Sequence, residues 1–329
     1  MNTNRISASL KRFHKQYATQ ITMAAVLVVL SLALAIVSPH FLKKSNILNI
    51  GVTFSVSGTM AAGLTVVMIM GCMDLSQYSV MAFIGMATAM LINRLGLPGL
   101  PALLLGVLMG MAIGCMNAFI VAKMGVVPMI ATISTQLMFR ALAYLINNGG
   151  YERVVDPLYD SIGFGKLFGI NYLIYIVLIV FFVIGYVLKN TTFGRKVYAV
   201  GGNPIASELS GINVVRMKFY GYIISGATAG LAASLLNAQV AAAMPTAGVG
   251  NEMDGIAAVF LGGVAYGGGK GRIGGTLIGV MLLTVLSNGM TLLNIQPYYQ
   301  QFTKGAVLLL SVYMDIVRTK REKSIRKRG

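Results

Sequence analysis

The sequence predicts an all-α, polytopic transmembrane helical bundle of about ten spans, built as an inverted repeat with both termini in the cytoplasm. Three observations carry that prediction. Of the 329 residues, 56% are apolar and only 11% charged, with a mean hydropathy of +0.76; soluble chains run about 25% charged. Apolar runs of roughly 18 to 22 residues recur along the chain, long enough to cross a ~30 Å hydrocarbon core as helices. Most of the 26 basic residues gather in a few connections: the N-terminal tail, 189–218, 270–272 and the tail "RTKREKSIRKRG". Such clustering marks cytoplasmic loops.

The apolar segments fall at about 21–38, 47–71, 79–93, 101–122, 127–147, 171–189, 218–240, 253–267, 274–293 and 298–317. The first, "ITMAAVLVVLSLALAIVS", is too long for the core of a secretion signal and no A-x-A-like site follows it, so it reads as a retained helix. The chain thus divides into a basic cytoplasmic tail at 1–20, a transmembrane domain at 21–317 with a long inner loop at 190–217, and a second basic tail at 318–329. The long outer connection 148–170 carries Glu152, Asp156 and Asp160, three of only nine acids. The net charge of +17 is thereby an orientation signal, with lipid headgroups as neighbours, and nucleic acid is not expected as a partner. Cys72 and Cys115 lie in or beside apolar segments at no metal-like spacing and read as small buried packers, with no disulfide and no metal site expected.

Spans 2–5 and 7–10 enter the membrane in opposite senses, and each set contains a Met-Asp ahead of an apolar stretch: "MDLSQYSVMAF" from Met73 and "MDGIAAVF" from Met253. Paired interrupted segments point to an inverted repeat with a solute path at its interface.

The stretch "LGGVAYGGGKGRIGGT" at 261–276 invites a nucleotide-binding reading, which its spacing rejects. A Walker A loop would need glycine at 264 and a hydroxyl after Lys270, where Val264 and Gly271 stand. A dinucleotide fold wants an acid about 20 residues on, where Asn294 stands. The glycines, including Gly271, Gly275 and Gly279, instead suit close helix approach and a tight inner turn.

Within the inner loop, "GGNPIASELSGI" spells a short helix. Asn203 is a good N-cap, Pro204 fits the first helical position and Gly211 suits a left-handed C-terminal position. Ile205, Leu209 and Ile212 share one face. That face either docks a cytoplasmic partner or packs on the protein's own spans.

Polar groups within spans are costly unless they face a cavity or a partner. Asp74, Asn117, Gln136, Arg140, Asn237, Gln239, Glu252, Asp254 and Asn288 are therefore candidates for a translocation path. Each has a structural reading too. Asp74 and Asp254 could cap the helices they precede, Arg140 could snorkel outward, and Asn237 and Asn288 could join helices. His14 and His40 stand with no carboxylate and hydroxyl to make a catalytic set, so no enzyme activity is expected.

"AVGGNPIASELSGINV", "MPTAGVGNEMDGIAAVFLGGVAYGGGKGRIGGTLIG" and "SNGMTLLNIQPYYQQFTKGAVLLL" resemble the membrane subunits of bacterial monosaccharide importers, the permeases of the ribose, xylose, arabinose and galactose type in the ATP-binding-cassette superfamily. "SPHFLKKSNILNI" and "MDLSQYSVMAF" extend the resemblance across nearly the whole chain. The resemblance implies a multi-pass protein of the bacterial cytoplasmic (inner) membrane. It also implies three partners: a second permease chain (homo- or heterodimer), an extracytoplasmic sugar-binding protein, and a cytoplasmic ATP-binding subunit that holds ATP and Mg, with no cofactor in this chain. It favours a coupling role for Gly202, Asn203, Ile205, Ala206, Leu209, Ser210, Gly211 and Ile212. The rival reading is a stand-alone secondary transporter or facilitator for a small polar solute, which would want titratable groups deep in the spans.

Overall fold

The computed structural model describes the backbone of residues 3–328 and the side chains of 19–313, 316 and 317; the side chains of the basic tails lie outside the described residues. Thirteen α-helices follow in chain order: α1 Thr3–Val37, α2 Lys44–Ile69, α3 Gln77–Leu95, α4 Gly99–Ala118, α5 Pro128–Leu145, α6 Pro157–Phe164, α7 Tyr172–Asn190, α8 Thr192–Gly202, α9 Pro204–Leu209, α10 Val214–Val240, α11 Asp254–Leu261, α12 Ile273–Leu292 and α13 Pro297–Arg328. A π-helical turn, Phe119–Lys123, extends α4. Seven helices among the described residues are long and apolar enough to cross a membrane: the Thr19–Val37 part of α1, α2, α3, α4 with its extension, α7, α10 and α12.

The bundle is organised around α2. The apolar stretch of α2 is 83% buried, against 22% for α7 and 6% for α1, so α2 is central while α1 and α7 leave broad apolar faces that this chain does not cover. Tight packing at the centre relies on missing side chains. Gly110 of α4 and Gly226 of α10 each lie against the other's carbonyl, while Gly114 meets the carbonyl of Tyr222 and Gly230 that of Gly106. Small residues four apart let two backbones touch where lipid supplies no hydrophobic drive. Gly275 and Gly279 of α12 do the same against Gly262 and Ala258, so part of the glycine run packs helices as its spacing suggested.

Two segments depart from the sequence expectation. The stretch 253–267, expected as a full span, is helical only over the eight residues of α11, about 12 Å long. Glycines at 262, 263, 267, 268, 269 and 271 cannot sustain a helix against their own backbone entropy, and the chain turns there instead. The loop 148–170 also contains α6, whose start is written in Asp156-Pro157. The Asp156 carboxylate accepts from the amides of Leu158 and Tyr159, and its other oxygen accepts from Gly99 N at the start of α4.

Short antiparallel pairings tie the connections on this acidic face. Glu152–Arg153 pairs with Ala242–Ala243, and Lys166–Leu167 with Ile170–Asn171. On the opposite face lie α8, α9, Lys123 and the glycine run. The cysteines also divide: Cys72 is buried as expected, whereas Cys115 is exposed on the outer side of α4, because Gly110 and Gly114 occupy the face toward α10.

Candidate functional site: two helix breaks and a cavity

Each long central helix, α2 and α10, ends in a non-helical stretch that opens through Met-Asp into a shorter helix, α3 or α11. The first break is a closed polar lock. Asp74 Oδ1 accepts from Ser76 N at 3.0 Å and Ser76 Oγ at 2.6 Å, and its Oδ2 accepts from Ser225 Oγ of α10 at 2.6 Å. Asn117 of α4 donates to Ser76 Oγ at 2.9 Å, and Gln77 donates to Ser225 Oγ at 2.9 Å. Gln77 also reaches the Met60 carbonyl, seventeen residues earlier on α2. The chain has therefore turned back into the bundle, and Asp74 sits beside the middle of α10 rather than at the inner end of span 2. Its carboxylate caps the amide of Ser76 and no helix: the residue ahead of α3 is Ser76, which makes no side-chain cap. Asp74 is 3% exposed; two of its hydrogen bonds are local, to Ser76, and the third joins the break to α10.

The second break is open. Residues 241–253 are held from outside by the Glu152–Arg153 pairing at Ala242–Ala243 and by two cations. Arg140 of α5 donates to the carbonyls of Pro245 at 2.7 Å and Ala247 at 2.9 Å, with Glu252 3.7 Å away. Arg140 thus turns inward to free carbonyls rather than snorkelling to the surface. Lys304 of α13 pairs with Asp254 at 2.7 Å and donates to Asn251 Oδ1 at 3.2 Å. Asp254 lies inside the first turn of α11, with Met253 ahead of it, so its partner is the lysine and not a helix end.

Between the breaks is a half-open cavity of about 370 Å³ lined by α2, α3, α10, α11, α12 and α13 and by Gly248 and Asn251 of the second break. Thr53, Ser57, Gln239, Thr284, Ser287 and Gln300 give it hydroxyl and amide groups, and Met60, Leu236 and Leu283 give it apolar wall.

Of the nine intramembrane candidates, only Gln239 and Asp254 line this cavity, with Glu252 next to it in sequence. Asp74 and Asn117 belong to the lock. Asn237 donates to the Gly85 carbonyl at 2.9 Å, and Asn288 exchanges two hydrogen bonds with Asn46 at 2.8 and 3.0 Å; both join helices. Gln136 is half-buried on α5. The lining hydroxyls Thr53, Ser57, Thr284 and Ser287 were missed; a hydroxyl in a span commonly bonds its own backbone, as Thr284 does to the Val280 carbonyl, so its sequence signal is weak.

The inner loop is more ordered than its sequence suggested. Thr191 caps α8, and Val197 and Val200 of α8 are fully buried in the core. The short helix α9 runs Pro204–Leu209, with Asn203 Oδ1 accepting from Ala206 N at 3.0 Å and Gly211 at φ 79° beyond its end. Ser210 donates to the Ala206 carbonyl. Ile205 and Leu209 are 73% and 86% exposed. Ile212, expected on the same outward face, instead packs on the core, because the turn at Gly211 redirects the chain.

Behind α9 is a junction of bare backbone. The Gly269 amide donates to the Ile69 carbonyl at 2.7 Å. A Cβ on Gly201 would meet that same carbonyl, one on Gly269 would lie 2.7 Å from Gly202 Cα, and one on Gly268 would lie 2.5 Å from Gly71 N. Three stretches meet here without side chains between them: the end of α8, the glycine run after α11, and the turn that leads from α2 to Asp74.

A lipid-embedded bundle with interrupted helices around a polar cavity, and a short helix that turns two apolar side chains away from the bundle, is the architecture of a membrane transport subunit. The chain matches the family described as "Branched-chain amino acid transport system / permease component" over residues 46–312, and it belongs to that family. It is 38% identical over 320 residues to the ribose import permease protein RbsC of Escherichia coli (strain K12), covering 96% of this chain and 99% of the relative. It is 35% identical to the Bacillus subtilis (strain 168) protein of the same name over 322 residues, covering 96% and 98% of the two chains. With the L-arabinose transport system permease protein AraH of Escherichia coli (strain K12) it shares 34% identity over 323 residues, or 97% and 96%. No solved structure matches the chain.

Proposed function

We propose that this permease is the translocating subunit of an ATP-driven monosaccharide importer of the bacterial inner membrane. In this reading it crosses the membrane ten times, with α5 and α13 beside the seven long spans and the stretch 241–253 together with α11 making the tenth crossing. Both termini, α8 and α9 face the cytoplasm. ATP and Mg belong to a separate cytoplasmic subunit, a second permease chain completes the path, and a sugar-binding protein delivers solute to the acidic face. The names of the relatives, ribose and L-arabinose permeases, support a pentose or similar sugar.

The observation that carries the ATPase coupling is the exposure of Ile205 and Leu209. They stand at i and i+4 on α9, in a loop flanked by Lys189, Arg195, Lys196, Arg216 and Lys218, the charge pattern of a cytoplasmic connection. A six-residue helix is marginal alone, yet α9 is capped at Asn203 and rooted through α8. Two apolar side chains held rigidly in water suit a groove on a partner. Gly202, Asn203, Ala206, Ser210 and Gly211 set the shape of that helix, and Ile212 anchors it.

Leu209→Asp tests this reading. Leu209 touches little of its own chain, so insertion and thermal stability should match wild type. In the partner's groove the change costs roughly 2 to 4 kcal/mol of burial and desolvation, at least tenfold in affinity. Pull-down of the co-expressed ATPase should fall by that factor, and sugar uptake into vesicles should be lost. Normal uptake would defeat the assignment of α9. Uptake by wild type without any ATPase would favour the stand-alone carrier.

A further inference from the structure

We propose that the groove between α3, α4 and the end of α5 holds one acyl chain of a phospholipid, with the lipid's phosphate at Arg94. The inference goes beyond the importer reading and does not depend on which solute is carried. It starts from the packing: α3 lies against both α4 and α5, which barely meet each other. The gap is a groove of about 470 Å³ floored by α3, with Met109 of α4 and Ile146 beyond α5 at its sides. Ala87, Met90, Leu91, Arg94 and Leu95 line it at i, i+3, i+4, i+7 and i+8, one face of a helix. From Ala87 to Arg94 that face runs about 10 Å along the helix axis.

The chemistry of the groove points to its occupant. No polar atom faces it, so water inside would find no hydrogen-bond partner, and an empty groove would forfeit dispersion contacts. An alkyl chain restores those contacts and asks for no hydrogen bond. Leu105 and Leu108 beside Met109, and Leu142 and Leu145 just before Ile146, are exposed. The groove is thus continuous with apolar surface that this chain leaves uncovered.

Arg94 marks the end of the groove. Its methylene stem is part of the wall, its side chain is 51% exposed, and its guanidinium sits beside Asn147, the residue after Ile146. Both of its hydrogen bonds, to Asn147 Oδ1 at 2.6 Å and Glu152 Oε2 at 3.1 Å, are made by Nη2. Nε and Nη1, which carry the remaining N–H donors of the guanidinium, have no partner among the described residues. They are open to a phosphate oxygen, which accepts a charge-assisted hydrogen bond. A cation at the end of an apolar slot between spans suits a lipid headgroup with its chain below it. A chain held there also fills the space beside α5, whose Arg140 ties down the second break.

The test is a titration of the full-length chain in mild detergent with phosphatidylglycerol, read by native mass spectrometry. Wild type should take up one lipid per chain well before any further lipid. Ala87→Phe puts a ring on the floor of the groove and should weaken that first site at least about tenfold. Arg94→Gln should weaken it about tenfold, the scale of one hydrogen bond to a charged group, and Arg94→Lys should recover part of the loss. Diacylglycerol with the same chains should bind wild type and Arg94→Gln alike, and inorganic phosphate should displace neither lipid. If Ala87→Phe lowers the melting temperature, Arg94→Gln, on an exposed side chain, decides alone. Lipid uptake with no distinct first site, or an Arg94→Gln titration like that of wild type, would overturn the proposal. So would displacement by inorganic phosphate, which would leave an anion site with no chain in the groove. A wild-type dimer that falls to monomers in Ala87→Phe with lipid uptake unchanged would give the groove to a second copy of this chain instead.

Discussion

The two helix breaks begin with the same dipeptide and behave differently. Around Asp74 every polar contact is made by the protein: two serine hydroxyls, a backbone amide, and the side-chain amides of Gln77 and Asn117 holding those serines. Around Asp254 the carboxylate meets one lysine at the rim of a cavity, and the loop ahead of it hangs from Arg140. A buried carboxylate with several donors is a clamp, because removing it orphans every group that faced it. A carboxylate with one partner at the rim of a cavity is a hinge pin, because water can replace that partner. One break is closed by a buried network, and the other is tied at its edges by Arg140, Lys304 and the Glu152–Arg153 pairing.

Asp74→Ala should have the largest effect. It leaves the hydroxyls of Ser76 and Ser225 and the Ser76 amide without their acceptor, at about 1–3 kcal/mol for each group that finds no substitute. Melting of the purified protein should drop sharply and its yield in membranes should fall. Asp74→Asn, with one acceptor oxygen retained, should fall between it and wild type. A wild-type melting curve for the alanine variant would dissolve the distinction between clamp and pin.

Lys304→Ala should cost less, roughly 1–2 kcal/mol, since the side chains of Lys304 and Asp254 keep 16% and 20% exposure and water can reach the orphaned carboxylate. Its signature should be local. Amide exchange over 248–255 should quicken while that of α3 and α10 holds. Exchange that quickened equally at both breaks would show them to be one unit.

The smallest effect concerns the strand that pairs with the second break. Glu152 is held below the usual glutamate pKa, first by the hydrogen bond from Asn93 and then by Arg94, whose guanidinium is 3.1 Å away. A lowered carboxylate pKa contributes stability that is fully present above the unfolded value of about 4.3 and is lost as pH falls through the folded value. Taking the protein from pH 6 to pH 3 should loosen the Glu152–Arg153 and Ala242–Ala243 pairing by a small margin, visible as a lower protection factor at Val154 once the intrinsic slowing of exchange with falling pH is divided out. Glu152→Gln should flatten that pH response. A Gln variant with the wild-type profile would place the titration elsewhere.

The membrane class, most helix positions and the cap at Asn203 were legible because each is a local code: hydropathy over twenty residues, or a side chain bonding three residues on. The division of labour between the two aspartates was not. Met73-Asp74 and Met253-Asp254 read alike, and what separates them is Ser225, 151 residues away, in one case and Lys304 in the other. The failure of 253–267 as a span was partly visible, since six glycines follow the eight helical residues. Their pull toward a turn was outweighed by an apolar count that does not register backbone entropy. Ile212 was misplaced for a related reason, because helical periodicity was carried through Gly211, where the chain leaves the helix.

The junction of Gly201, Gly268 and Gly269 against Ile69 and Gly71 bears on how this protein tolerates mutation. An overpacked contact between side chains can be relieved when a second mutation trims the neighbour. Here the neighbours are carbonyls, amides and Cα atoms, and no residue is smaller than glycine. A lesion at one of these positions therefore has no suppressor within the junction. Revertants selected for restored growth on the transported sugar should regain the glycine itself, or carry changes that shift a whole helix.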